Sequence, residues 1–100
     1  MYEIQRTETY ARWFAKLRDG KAKAQIDTRI GRLALGHPGD ARFVGSGVLE
    51  LRVDLGPGYR VYYVRWKETV IVLLAGGDKR SQARDIRTAI ELAESIRSQT

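Results

Sequence analysis

Arginine recurs in this chain where alternate residues share a face. Glu50 and Arg52 stand on one extended segment, Arg60 and Tyr62 on the next, and a further basic pair, Lys79 and Arg80, follows Gly76-Gly77-Asp78. Neighbouring side chains of a strand point to opposite faces. Leu49, Leu51 and Val53 therefore face away from Glu50 and Arg52, as Val61 and Tyr63 face away from Arg60 and Tyr62. The expected product is a sheet with an apolar underside and a cationic, aromatic-bearing upper side, shaped to receive a polyanion. Arginine suits that task because its planar fork grips phosphate through two hydrogen bonds and stacks on bases, whereas lysine acts mostly as a point charge.

Such a group has the parts for metal-free RNA cleavage. The 2′-hydroxyl must attack the adjacent phosphorus in line, a base must take its proton, an acid must protonate the leaving 5′-oxygen, and cations must hold the phosphorane charge. Arg52, Arg60 and Arg80, with Lys79 close by, are assigned to phosphate binding and charge stabilisation. Glu50 is the one carboxylate on that strand face, and it is either the general base or an ion-pair partner that orients Arg52. Tyr62 is a candidate for stacking on a base, and Arg84, on the wet face of the last helix, is the further candidate for RNA binding.

The elements that must position these residues follow from periodicity. Tyr2 to Gln5 reads as a short edge strand. Thr7 caps an amphipathic helix with Tyr10, Trp13, Phe14 and Leu17 at helical spacing, ended by Asp19-Gly20; the aromatic residues read as core packing. A second helix buries Ala22, Ile26, Ile30 and Leu33 and stops at Gly36, and so short a turn between the two helices makes a hairpin. From Ala41 the period becomes alternating: 42–44, 48–55, 59–66 and 70–75 read as strands joined by short turns, hence antiparallel. The strand at 70–75 is apolar on both faces and should be interior. A third helix begins near Asp78 or Ser81 and buries Ile86, Ala89, Ile90 and Ala93. The expected architecture is an α+β domain of two layers spanning residues 1–100.

Composition narrows the classes. The chain has 100 residues, 18 Lys plus Arg against 12 Asp plus Glu, a net charge of +6, and 43% hydrophobic residues. That is globular composition with a field that draws phosphates, acidic proteins or anionic lipid. With no cysteine, a disulfide scaffold, a thiol nucleophile and a zinc-thiolate site are excluded. One histidine, His37, in the loop Gly36-His37-Pro38-Gly39-Asp40 reads as solvated, and neither a metal site nor a cofactor is expected. Gly56-Pro57-Gly58 lies between strands and reads as a turn rather than a phosphate loop. No secretory or membrane-spanning run is expected, so the chain is placed in the cytoplasm, away from membranes.

The run Glu50-Leu51-Arg52, Gly56-Pro57-Gly58-Tyr59-Arg60-Val61-Tyr62-Tyr63, Leu73-Leu74-Ala75-Gly76-Gly77-Asp78-Lys79, Gln82 and Asp85-Ile86, with Tyr2-Glu3-Ile4, Trp13-Phe14 and Leu17-Arg18-Asp19 before it, resembles the addiction-module killer or phage Gp49-like proteins. These belong to the RelE/HigB/ParE toxin superfamily, and the resemblance spans essentially the whole chain. It implies a RelE/ParE-like fold: an N-terminal strand and helical hairpin on a mainly antiparallel sheet, with a C-terminal helix. It also implies a type II toxin–antitoxin toxin, a ribosome-associated endoribonuclease that cleaves mRNA. The implied partners are mRNA on the ribosome and a cognate antitoxin, typically a small helix-turn-helix protein, with operator DNA reached only through the antitoxin complex. Arg60 matches the strand arginine used against the scissile phosphate, and Arg80 the second basic position. Glu50 and Arg52 stand where RelE has two lysines, and Ile86 falls near the place of its helical tyrosine, so the general base does not carry over. ParE-like relatives share the fold but poison DNA gyrase, which leaves gyrase inhibition, and plain RNA binding, as the other classes.

Overall fold

A computed structural model of the chain describes residues 1–99. The elements in order are β1 (Glu3–Arg6), α1 (Glu8–Lys16), α2 (Gly20–Ala34), β2 (Ala41–Gly45), β3 (Val48–Val53), β4 (Tyr59–Trp66), β5 (Val70–Gly77), a 3-10 turn (Lys79–Ser81) and α3 (Gln82–Arg97). The strands form one sheet in the order β1-β5-β4-β3-β2. Only β1 runs parallel to its neighbour, β5; the other pairs are antiparallel, as short turns require. The α+β class and the mixed, mainly antiparallel sheet with its C-terminal helix are as expected from sequence.

Local chemistry sets the helix boundaries. The Thr7 hydroxyl accepts from the Tyr10 amide and opens α1, satisfying a first-turn donor that otherwise has no partner. Asp19 opens α2 instead of closing α1: its carboxylate accepts from the amides of Lys21 and Ala22. Helix α1 has already ended at Lys16, one residue before the extended Leu17. Asp78 accepts from the Arg80 amide and forms a capping box with Ser81, so the 3-10 turn leads into α3.

The sheet is covered on both faces, which corrects the two-layer expectation to three layers. On one face Leu51, Val53, Val61, Tyr63, Ile71 and Leu73 pack with Tyr10 of α1 and Ile26, Ile30 and Leu33 of α2. On the other, Val48, Tyr62, Val64, Val72 and Leu74 pack against Ala89 and Ala93 of α3. The supposedly open cationic face is therefore mostly a second core. Its small α3 residues let the helix backbone approach the sheet, and the polar side chains of that face are either buried beneath the start of α3 or exposed beyond it. Among the described residues no helix is long and apolar enough to cross a membrane.

Candidate functional site

The end of β3, the start of β4 and the end of β5 meet at one end of the sheet. Arg52 lies opposite Arg60 across β3 and β4, and Arg60 opposite Gly77 across β4 and β5. The turn between β3 and β4 uses glycine at positive φ, +79° at Gly58, where other residues are strained. A side chain at Gly58 would also come within 3.1 Å of the Arg60 guanidinium. The space it leaves is filled by Arg60, whose Nη1 donates to the Gly58 carbonyl at 2.7 Å.

Arg60 is only 8% exposed. Its Nε faces Glu50 Oε2 at 3.5 Å, an ion pair without hydrogen-bond geometry, and it is the one buried side-chain nitrogen or oxygen without a hydrogen-bond partner among the described residues. The residue borders a concavity of about 200 Å³ with Asp40, Arg52, Asp54, Gly58 and Tyr59. A guanidinium fixed on one side and open on another is pre-oriented to bind an anion without first losing rotamer freedom.

Glu50 has no exposed surface. It accepts from Gln82 Nε2 at 2.8 Å, Tyr62 hydroxyl at 3.0 Å and Arg42 Nε at 3.1 Å, so its buried charge is satisfied. This arrangement corrects the expected pairing of Glu50 with Arg52. Glu50 pairs with Arg42 and Arg60 rather than Arg52, because strand register sets Arg42 directly across from it, while same-face neighbours along one strand lie about 7 Å apart. Arg52 turns to Asp40, with Nε 3.2 Å from Oδ2, Nη2 3.3 Å from Oδ1 and its backbone amide on the Asp40 carbonyl. Burial also leaves Glu50 without contact to solvent, its oxygens facing Gln82, Tyr62, Arg42 and Arg60.

Tyr62 is likewise removed from the surface, with no exposure. Burial, reinforced by the adjacent Glu50 carboxylate, raises its pKa well above the ordinary tyrosine value. Its ring is enclosed in the second core and presents no face to a base, which overturns its assignment to stacking.

The other basic candidates are at the surface. Lys79 sits beside the β3–β4 turn, its amide donating to the Pro57 carbonyl at 3.4 Å. Arg80 is 88% exposed and paired loosely with Asp78 at 3.5 Å, and Arg84 with Asp85 at 3.6 Å. Arg80 and Arg84, joined by Arg87, form one side of a larger cleft of about 720 Å³, with Trp13, Leu17 and Tyr59 also lining it. Tyr59 lines both concavities, which therefore lie on either side of it at this end of the sheet.

Gly76 and Gly77 belong to the strand, not to a sharp turn as expected, and neither has positive φ. What demands glycine is proximity: a Cβ on Gly76 would overlap the Trp13 indole, and one on Gly77 would overlap the Asp85 carboxylate. Sequence reasoning missed Arg42, Asp40 and Gln82, whose roles depend on cross-strand register and helix docking. It also missed Tyr59 as a residue lining both concavities, although its place beside Arg60 was a signal. Among the described residues no group of three or more His, Cys, Asp or Glu side chains is placed to hold a metal ion.

Residues 12–97 match the family described as "Phage derived protein Gp49-like (DUF891)". An uncharacterised protein of Haemophilus influenzae is 44% identical over 94 residues, covering 94% of this chain and 95% of the relative. The family match takes in the second half of α1, all of α2, every strand from β2 to β5 and α3, and with them the residues lining both concavities. The chain belongs to the Gp49-like phage-derived protein family, a toxin-like family.

Proposed function

We propose that this protein is the toxin of a type II toxin–antitoxin pair, a metal-independent endoribonuclease that cleaves mRNA at the ribosome and is silenced by a small helix-turn-helix antitoxin. The observation that carries this reading is Arg60: a nearly buried guanidinium, held by Gly58 and Glu50, bordering a concavity beside Arg52 with Lys79 at the adjoining turn.

In this reading the scissile phosphate docks on Arg60 and Arg52. The 2′-oxygen attacks phosphorus, the P–O5′ bond breaks as the leaving O5′ takes a proton from solvent water in the exposed concavity, and the products are a 2′,3′-cyclic phosphate and a 5′-hydroxyl. Charge grows on the non-bridging oxygens as the phosphorane forms, and a guanidinium already in place stabilises it without reorganising. Asp54, exposed on the same concavity, is the carboxylate that accepts the 2′-hydroxyl proton, since Asp40 is held by Arg52 and Glu50 is buried. Arg80 and Arg84 hold the neighbouring chain.

The test is pulse labelling after induction of the chain alone. Growth should arrest with methionine incorporation falling before thymidine incorporation, and coexpression of the antitoxin should restore growth. Arrest in which DNA synthesis fails first would favour a gyrase poison, and normal growth with abundant folded protein would remove the toxin reading.

A further inference from the structure

We propose that the larger cleft is a subsite for one nucleotide of single-stranded RNA, its base stacked on Tyr59 and Trp13 and its phosphate held by Arg84 and Arg87. The proposal rests on the nuclease reading for its context, shares Arg84 with it, and adds Trp13, Tyr59 and Arg87.

Trp13 and Tyr59 are both half-buried, with ring centroids 6.5 Å apart and planes inclined at 62°. They form a corner, in which a base that stacks on one ring presents its edge to the other, a geometry aromatic groups favour. The corner is fixed. Trp13 rests against Gly76, where any side chain would displace it, and its neighbours Tyr10 and Phe14 pack at 5.7 and 6.5 Å between centroids. A volume of about 720 Å³ lies in the range of pockets that enclose small organic ligands.

Cations and aromatic rings in one cleft are the combination that binds single strands, with stacking indifferent to base identity and basic groups tracking the backbone. Arg87 is exposed and has no ion-pair partner among the described residues. Arg84 is exposed, and its Nε lies 3.6 Å from the buried Asp85 carboxylate, which also accepts from the Ser81 hydroxyl; Asp85 therefore keeps a hydrogen-bond donor when Arg84 turns to phosphate. Tyr59 also borders the Arg60 concavity, so a chain with its scissile phosphate at Arg60 has an adjoining nucleotide in reach of the corner. An acidic peptide would satisfy the arginines and leave the rings unused.

Trp66→Phe leaves Trp13 as the sole tryptophan and makes it the reporter. The probe is a 2′-O-methyl hexanucleotide, which the proposed mechanism cannot cleave, compared with an abasic ribose-phosphate chain of equal length and a glutamate peptide of equal charge. The hexanucleotide should quench Trp13. Binding should weaken about 10-fold or more for the abasic chain and in Tyr59→Leu, the range expected for one lost stack. Arg87→Gln should retain stacking but reduce the slope of log affinity against log salt by about 1. Equal binding of the abasic chain, equal quenching by the peptide, or an oligonucleotide that binds by anisotropy with Trp13 unmoved would each overturn the subsite. A protein that is quenched but cuts no RNA would remove the nuclease reading and keep the cleft; one that cuts RNA with Trp13 unmoved would do the reverse.

Discussion

Arg60 is held in place by its surroundings before any ligand arrives. Its Nη1 bond to Gly58 and its charge contact with Glu50 fix the guanidinium plane, so removing it takes away stabilisation that water cannot replace in the same geometry. Arg60→Ala should slow RNA cleavage by roughly 100-fold or more, the scale for loss of a pre-oriented charge stabiliser, with circular dichroism unchanged. Lysine should rescue only part, because a point charge does not reproduce the fork; wild-type cleavage by the alanine variant would remove Arg60 from the mechanism. Glu50 acts differently. Glu50→Ala leaves Arg60 buried beside no counter-charge, and breaking a buried pair costs roughly 3–5 kcal/mol, at the lower end here because Arg42 remains 59% exposed. Denaturant unfolding should reveal that loss. Glu50→Gln should reduce cleavage by the same factor at every pH, and disappearance of an acid limb from the pH–rate profile would show instead that Glu50 does take the proton.

At the scale of elements, both cores bury tyrosine, and alkaline pH tests them. Burial raises the pKa of Tyr10, Tyr62 and Tyr63 above the ordinary value of about 10. Because these folded-state values are raised, their stabilising contribution is complete below about pH 10. It declines above that, where the unfolded chain ionises and the folded one does not. Melting temperature should therefore fall between pH 10 and 11.5, and less so in Tyr62→Phe; a flat profile would contradict the burial. The close approach of α3 is equally testable, since Gly77→Ala drives a methyl group into Asp85 and should destabilise by about 1–3 kcal/mol. The strands and helices were legible in the sequence because alternation and 3.6-residue spacing are local signals: Ile26, Ile30 and Leu33 lie buried where spacing put them. Partner choice was not legible. Whether Glu50 meets Arg52 or Arg42 depends on register between strands, and whether Tyr62 faces water depends on where α3 docks. Asp19 was misread because an Asp-Gly pair signals a helix stop and a helix start equally well.

For the whole molecule, a net charge of +6 becomes function only where the fold concentrates it. The two concavities do so, one bordered by Arg52 and Arg60, the other by Arg80, Arg84 and Arg87, with Tyr59 lining both. Affinity for RNA should fall linearly on a log–log plot against salt, at about −0.7 per phosphate neutralised on a single strand; affinity insensitive to salt would contradict phosphate binding there. Binding alone does not separate a nuclease from a plain RNA-binding module or from a protein that acts on DNA gyrase. Primer extension on cellular mRNA after brief induction makes that separation directly. The wild-type chain should produce new 5′ ends within translated regions, and Arg60→Ala, accumulated to the same level, should produce none. Growth arrest by the wild type with mRNA intact would contradict the account.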